Sequence, residues 1–341
     1  MPETPRPSRI VCEVDFARHG KQTGYLRLFH STHDSAYGFL PMPIVVVKNG
    51  EGPTAFFSSG NHGDEYEGQV ALTNLAQWLE PGMIQGRVII LPMANYPAAL
   101  AGRRVSPIDD LNLNRIFPGD PDGTVTRQIA HYIDSVLIPL ADLVIDLHSG
   151  GSSLNYIPCA LARQSSDPVL YRKQLAALRA FGAPYTYIQG GAQGQGGDQT
   201  LGSGADRRGS IALGTELGGS GTVNASGLAI AERGLRNLLV HLEILPRTHW
   251  QEPRPTRFLD VRGQDYYIYA PEGGVFEPLV ALGDTVAVGQ AAARIHTPET
   301  PWRAPVELAF NAAGIVMCQR IPARTKRGDC LFHLASDLVV D

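Results

Sequence analysis

A chain of 341 residues, 43% of them hydrophobic and 18% charged, is long enough to bury a sizeable core, and two domains are the default expectation. Its net charge of −4 comes from interspersed acids and bases, so no basic block marks a nucleic-acid partner and no acidic tail marks disorder. No apolar run approaches membrane-spanning length, and the Pro-rich start Met1 to Ser8 lacks the apolar core of a signal peptide, so a cytoplasmic protein without membrane contact is expected.

Met1 to Ser8 reads as a frayed tail. Residues 10 to 48 are rich in strand formers, with Leu26-Arg27-Leu28 and Ile44-Val45-Val46-Val47 as predicted strands. His30 and His33 between them read as loop residues. From Ala55 strands and helices alternate. A strand at 55–59 precedes a helix of about 66–79, whose Val70, Leu72, Leu75, Ala76 and Leu79 form a buried stripe ended by Pro81-Gly82. A strand at 88–91 leads into a long loop, 95–119. Then come a helix of about 125–140, a strand at 143–147, a helix of about 168–181 and a strand at 185–188. A Gly-rich stretch, 189–209, separates these from a strand at 211–215 and a helix of about 225–244. This pattern predicts an α/β fold with a mixed, largely parallel sheet flanked by helices. Cys12, Cys159, Cys318 and Cys330 are scattered, which fits a reducing compartment better than a disulfide framework.

After Pro246 the texture changes. Residues 246–256, with Pro253 and Pro255, read as a linker, and short strands with Gly turns follow. The expected division is a catalytic domain, 1–248, and a β-rich, barrel-like domain, 249–341. Gly274-Val275, Gly283-Asp284, Gly314-Ile315-Val316 and Gly328-Asp329 resemble the half-repeats of a lipoyl/biotinyl-type barrel. Residues 297–306 contain no Lys to carry an acyl group, so a non-acylated cap is the reading.

Chemistry gathers at the carboxyl ends of strands, where open α/β sheets place their sites. His62 and Glu65 follow the strand at 55–59; three residues apart on the first turn of a helix, they would leave from one face. Alone, the pair reads equally well as a helix start whose Asp64 and Glu65 favour the dipole. His148 follows the strand at 143–147, and Glu216 follows the strand at 211–215. Three separate junctions thus converge. His62, Glu65 and His148 suit Zn²⁺ with an open fourth position, and Glu216 suits a general base; the bland alternative for Glu216 is a strand-end salt bridge. In the loop 95–119, Arg115 offers a planar fork for a carboxylate with Asn114 beside it, and Arg104 could stabilise an oxyanion. The alternative is surface arginines paired with Asp109, Asp110 or Asp120.

His62-x-x-Glu65, the phrase Asn112-Leu113-Asn114-Arg115-Ile116-Phe117, Asp146-Leu147-His148 and Glu216, in this order, resemble the zinc carboxypeptidase fold. They are more similar still to its succinylglutamate desuccinylase/aspartoacylase branch. The continuation Pro118-Gly119-Asp120 and the Gly/Gln-rich loop look like the bacterial members that deacetylate N-acetyl-2,4-diaminobutyrate in ectoine breakdown. The resemblance spans about 54–245. It implies that His62, Glu65 and His148 hold zinc and that Glu216 is the base. By the same resemblance Arg104 assists at the scissile carbonyl, with Arg103 as an alternative, while Asn114 and Arg115 bind the substrate carboxylate. The implied reaction is removal of an acyl group, acetyl first of all, from a small N-acyl amino acid by zinc-activated water. Assembly with further copies of the chain is expected. Two other readings stay open: a zinc carboxypeptidase, and a non-catalytic acyl-amino-acid-binding protein, against which Glu216 argues.

Overall fold

The computed structural model describes residues 7–189 and 197–340. Residues 1–6 of the expected tail and 190–196 of the Gly-rich stretch lie outside them. The chain opens with strands β1 (Val11–Cys12), β2 (Gly20–Phe29), β3 (Phe39–Asn49) and β4 (Thr54–Ser59). Every residue of β4 is buried, as expected of a strand covered on both faces. Helix α1 (Glu67–Trp78) buries Ala71, Leu72 and Leu75, and β5 (Gly86–Leu91) follows. The long loop then contains a helix, α2 (Tyr96–Ala101), closed by Gly102 in the left-handed region (φ 56°). The predicted helix 125–140 is α-helical only as α3 (Val125–Tyr132). It continues as a π turn, Ile133–Leu137, and a 3₁₀ turn, Ile138–Leu140. Pro139 lacks the N–H that a regular helix needs there.

Strands β6 (Leu143–Leu147), β7 (Leu154–Tyr156) and β8 (Cys159–Arg163) precede α4 (Pro168–Phe181). Asp167 caps α4 by accepting from Val169 N and Leu170 N, Pro168 starts it, and Gly182 ends it in the left-handed region. After β9 (Tyr185–Gln189) comes α5 (Leu201–Arg207), inside the Gly-rich stretch for which no helix was expected. Two glycines in LGSGADR disfavour a helix, but Leu201 and Ala205 bury in the core and Thr200 caps its start. Strand β10 (Ile211–Glu216) and helix α6 (Ala225–His241) complete this part.

The strand order β3-β5-β4-β6-β10-β8-β9 is parallel across β5, β4, β6 and β10 and again across β8 and β9. One hydrophobic core packs α1, α4 and α6 on one face, and a second packs α3 and α5 on the other. No helix among the described residues is long and apolar enough to cross a membrane.

The proline-rich segment after α6 leads back into the same sheet. β11 (Arg257–Asp260) adds parallel to β9. The remaining strands are β12 (Tyr267–Tyr269), β13 (Gly274–Pro278), β14 (Thr285–Val286), β15 (Ala291–His296), β16 (Val306–Ala309), β17 (Gly314–Arg320), β18 (Arg324–Thr325) and β19 (Cys330–Asp337). β19 pairs with β11, and β17 pairs with both β19 and β7, so the hydrogen-bonded ladder runs unbroken into the C-terminal region. A second, antiparallel sheet has the order β16-β15-β13-β18.

His333 of β19 is 4% exposed and stacks on Tyr267 at 4.5 Å between centroids, with Tyr156 and Tyr187 edge-on at 6.2 and 5.6 Å. Neither ring nitrogen has a hydrogen-bond partner. Burial drives its pKa down to about 4. Below about pH 6.5 the unfolded chain takes up a proton that the folded chain refuses, so stability present above pH 6.5 drains away towards pH 4. The loss is about 3 kcal/mol at pH 4. His333→Phe should flatten this acid limb in thermal melts taken from pH 7 to 4. Superimposable limbs for the two proteins would refute the assignment.

Candidate active site

Helix α1 begins only at Glu67, so His62 and Glu65 lie in the turn ahead of it and not on its first turn as expected. Their common orientation comes from that turn, in which Glu65 N donates to His62 O at 3.4 Å. Gly63 lets the turn settle against α2: a Cβ there would lie 2.0 Å from Ala98 O, and Gly63 N donates to Arg103 O at 2.8 Å.

His148 follows β6 and meets this turn. His62 Nδ1 lies 2.7 Å from Glu65 Oε1, and His148 Nδ1 lies 2.8 Å from Glu65 Oε2, so one carboxylate forks between two imidazoles. Ser149 N also donates to Oε2 at 3.1 Å. The other ring nitrogens are held from behind. His62 Nε2 is 3.1 Å from Asn112 Oδ1, and His148 Nε2 is 2.7 Å from Asp146 Oδ2, itself bonded by Asn61 Nδ2. Acceptors behind Nε2 favour a proton there and leave each Nδ1 lone pair facing the centre, the usual arrangement of metal-ligating histidines. One ligand atom from each of His62, Glu65 and His148 falls within 4.8 Å of the others. Two imidazole nitrogens and a carboxylate, almost wholly buried, fit zinc.

Two of the three shifts, at Glu65 and His62, suit metal ligands. Burial works against the charge of Glu65, but the two imidazoles hold it well below the usual carboxylate range. Burial opposes protonation of His148, yet the carboxylates of Asp146 and Glu65 raise it well above the usual value. His62 is lowered, mainly by burial.

Glu216 ends β10 and lines the same cavity, of about 460 Å³. Its Oε2 is buried without a partner, and it forms no ion pair among the described residues, so the strand-end salt bridge is not what holds it. Burial, reinforced by the charge of Glu65, pushes it up to about 8. Arg104 lies beside the centre, with Nη1 3.3 Å from His62 Nδ1 and 3.4 Å from Glu65 Oε1, and its side chain is 46% exposed. Arg115 lines the cavity and donates from Nη1 to Asn114 O at 2.7 Å. Asn114 bridges two elements: Nδ2 lies 3.2 Å from His148 Nε2, and Oδ1 accepts from Leu201 N of α5 at 3.0 Å. Arg103 is exposed and does not line the cavity; only its carbonyl takes part, through Gly63.

Some residues at the site carry no role in the sequence reading. Asn112 and Asp146 stand two positions from Asn114 and His148 inside the quoted motifs, and that spacing was the available signal. Arg163, Asp206, Tyr267 and His333 also line the cavity and have no local signature. On the floor, Glu216, Gly214, Leu161, Arg163, Tyr187 and Gln189 project from one face of β10, β8 and β9, as the registers Gly214↔Leu161, Leu161↔Tyr187 and Arg163↔Gln189 require. Tyr267 and His333 bring the C-terminal strands to the cavity wall.

Comparison with known proteins follows the same lines. The succinylglutamate desuccinylase/aspartoacylase catalytic domain matches residues 51–242. The chain is 44% identical over 335 residues to N-alpha-acetyl-L-2,4-diaminobutyric acid deacetylase of Halomonas elongata, covering 98% of this chain and 97% of the relative. The crystal structure of a succinylglutamate desuccinylase/aspartoacylase from Rhodobacter sphaeroides is 42% identical, with a TM-score of 0.91 over 97% of this chain and 100% of that one. The product-bound ectoine utilisation protein EutE of Ruegeria pomeroyi is 40% identical, with a TM-score of 0.93 over 97% and 99%.

Proposed function

The chain belongs to the succinylglutamate desuccinylase/aspartoacylase family and is a hydrolytic deacylase of acyl amino acids, and from that premise we propose that it removes the acetyl group of N-acetyl-2,4-diaminobutyrate in a zinc-dependent reaction. The observation that carries the zinc reading is the fork of Glu65 between His62 Nδ1 and His148 Nδ1, with an unpaired Glu216 in the same cavity. Zinc held by these three residues would supply a Lewis acid for the amide carbonyl and for water, and its charge would favour ionised Glu216. Glu216 then takes the proton from the attacking water and returns it to the leaving nitrogen. Arg104 supplies a guanidinium beside the centre for the developing oxyanion. Arg115 grips the substrate carboxylate, and Asn114, whose amide N–H groups can donate, stands next to it. We further propose that residues 249–341 cap the site laid out by residues 1–248, through Tyr267 and His333. A walled cavity favours a small acyl amino acid over the polypeptide chain that a zinc carboxypeptidase needs.

The test is a panel of acetyl, succinyl and formyl amino acids with zinc-loaded protein. Acetyl-2,4-diaminobutyrate should be hydrolysed best, and a chelator should stop the reaction. Faster release of C-terminal residues from peptides would support the carboxypeptidase reading instead. In the same assay Arg115→Lys keeps the charge but loses the fork. It should lower kcat/KM about ten- to a hundredfold for the free acid. Amidating the substrate carboxylate should then hurt wild type far more than the variant; equal discrimination would remove Arg115 from that role.

A further inference from the structure

We propose that Asp206 reads a free ammonium group on the substrate's side chain and makes the cavity selective for N-acyl diamino acids; this rests on the deacylase reading of the same site. Four carboxylates line the cavity: Glu65, Asp146, Asp206 and Glu216. Glu65 is taken up by two imidazoles, Asp146 Oδ2 by His148 and Asn61, and Glu216 stands at the reacting centre. Asp206 alone among them serves neither the metal-ligating histidines nor the chemistry. Its Oδ1 is buried without a hydrogen-bond partner, and it forms no ion pair among the described residues. A carboxylate oxygen withdrawn from water and left unpaired is costly, so an occupant that donates to it gains what the protein has withheld.

Its place in the fold fits an occupant anchored at the metal end. Helix α5 begins where Leu201 N bonds to Asn114 Oδ1, and Asn114 in turn touches His148. Ser203 and Asp206, three residues apart, share one face of α5 and both line the cavity. The neighbouring Arg207 and Arg208 are committed elsewhere, to Asp198 O and to Asp134. Asp206 therefore stands about 7.5 Å along the helix from the Asn114 contact, with its charge uncompensated by either arginine. A short side chain ending in an ammonium group is the complement of that arrangement. A neutral tail would leave the carboxylate unpaired, and an acidic tail, as in an acyl aspartate or glutamate, would be repelled.

The experiment compares 2,4-diaminobutyrate with norvaline, whose side chain ends in a methyl group at the same position. Binding of both amino acids to zinc-loaded wild type and Asp206→Asn is measured by calorimetry, alongside kcat/KM for their N-acetyl derivatives. Wild type should prefer the cationic member on the order of 10- to 100-fold, and Asp206→Asn should erase most of that preference. Asp206→Glu, which keeps the charge, should restore part of it. Equal binding of the two amino acids by wild type, or an unchanged preference in Asp206→Asn, would overturn the proposal. Selective binding of 2,4-diaminobutyrate without hydrolysis of either derivative would sink the deacetylase reading and leave Asp206 as the ammonium reader.

Discussion

His148→Ala should give a folded protein that neither retains a full equivalent of zinc nor turns over substrate. His148 supplies one of two inward-facing Nδ1 atoms, and its loss also takes one of two partners from Glu65 Oε2 and from Asp146 Oδ2. His62→Ala should behave alike, since it removes the other nitrogen from the fork. Asp146→Asn offers a graded control: it disturbs only the group behind the ring and should weaken metal affinity about 10- to 100-fold. Elemental analysis after dialysis, set beside single-turnover assays, separates the cases. Full zinc in both alanine variants would refute the ligand assignment.

Glu216→Gln should cost kcat on the order of 10²–10⁴, the usual size of a general-base contribution. Zinc content should not change. Thermal stability should hold or rise, because the carboxyl group is buried, lies in the field of Glu65 and leaves Oε2 unpaired. A fall in activity with unchanged metal and unchanged melting is the signature of a lost proton acceptor. Turnover near that of wild type would make Glu216 a structural residue.

The three junctions that build the centre were legible in the sequence because β4, β6 and β10 are short apolar runs, each followed by a chemically distinctive residue. Helix α4 was legible to its ends because Asp167, Pro168 and Gly182 punctuate it. Helix α5 was not, since its glycines argue against helix and only burial of Leu201 and Ala205 overrides them. Strands β7 and β8 are short pieces whose pairing with β17 and β10 comes from distant chain. The proline-rich segment after α6 read as a separator, yet the sheet continues through β11. Asp206, Arg163 and His333 reach the cavity from three separate elements, and no local spacing announces such an encounter.

Asn114 has a consequence that extends beyond any contact it makes with substrate. One amide touches His148 on one side and the first turn of α5 on the other. Asn114 therefore ties the hydrolytic centre to the far wall, beside the packing of α5 on β6 and β10. If the proposed ammonium contact at Asp206 holds, that span acts as a caliper: a substrate one methylene too long or too short would have to bend or miss one end.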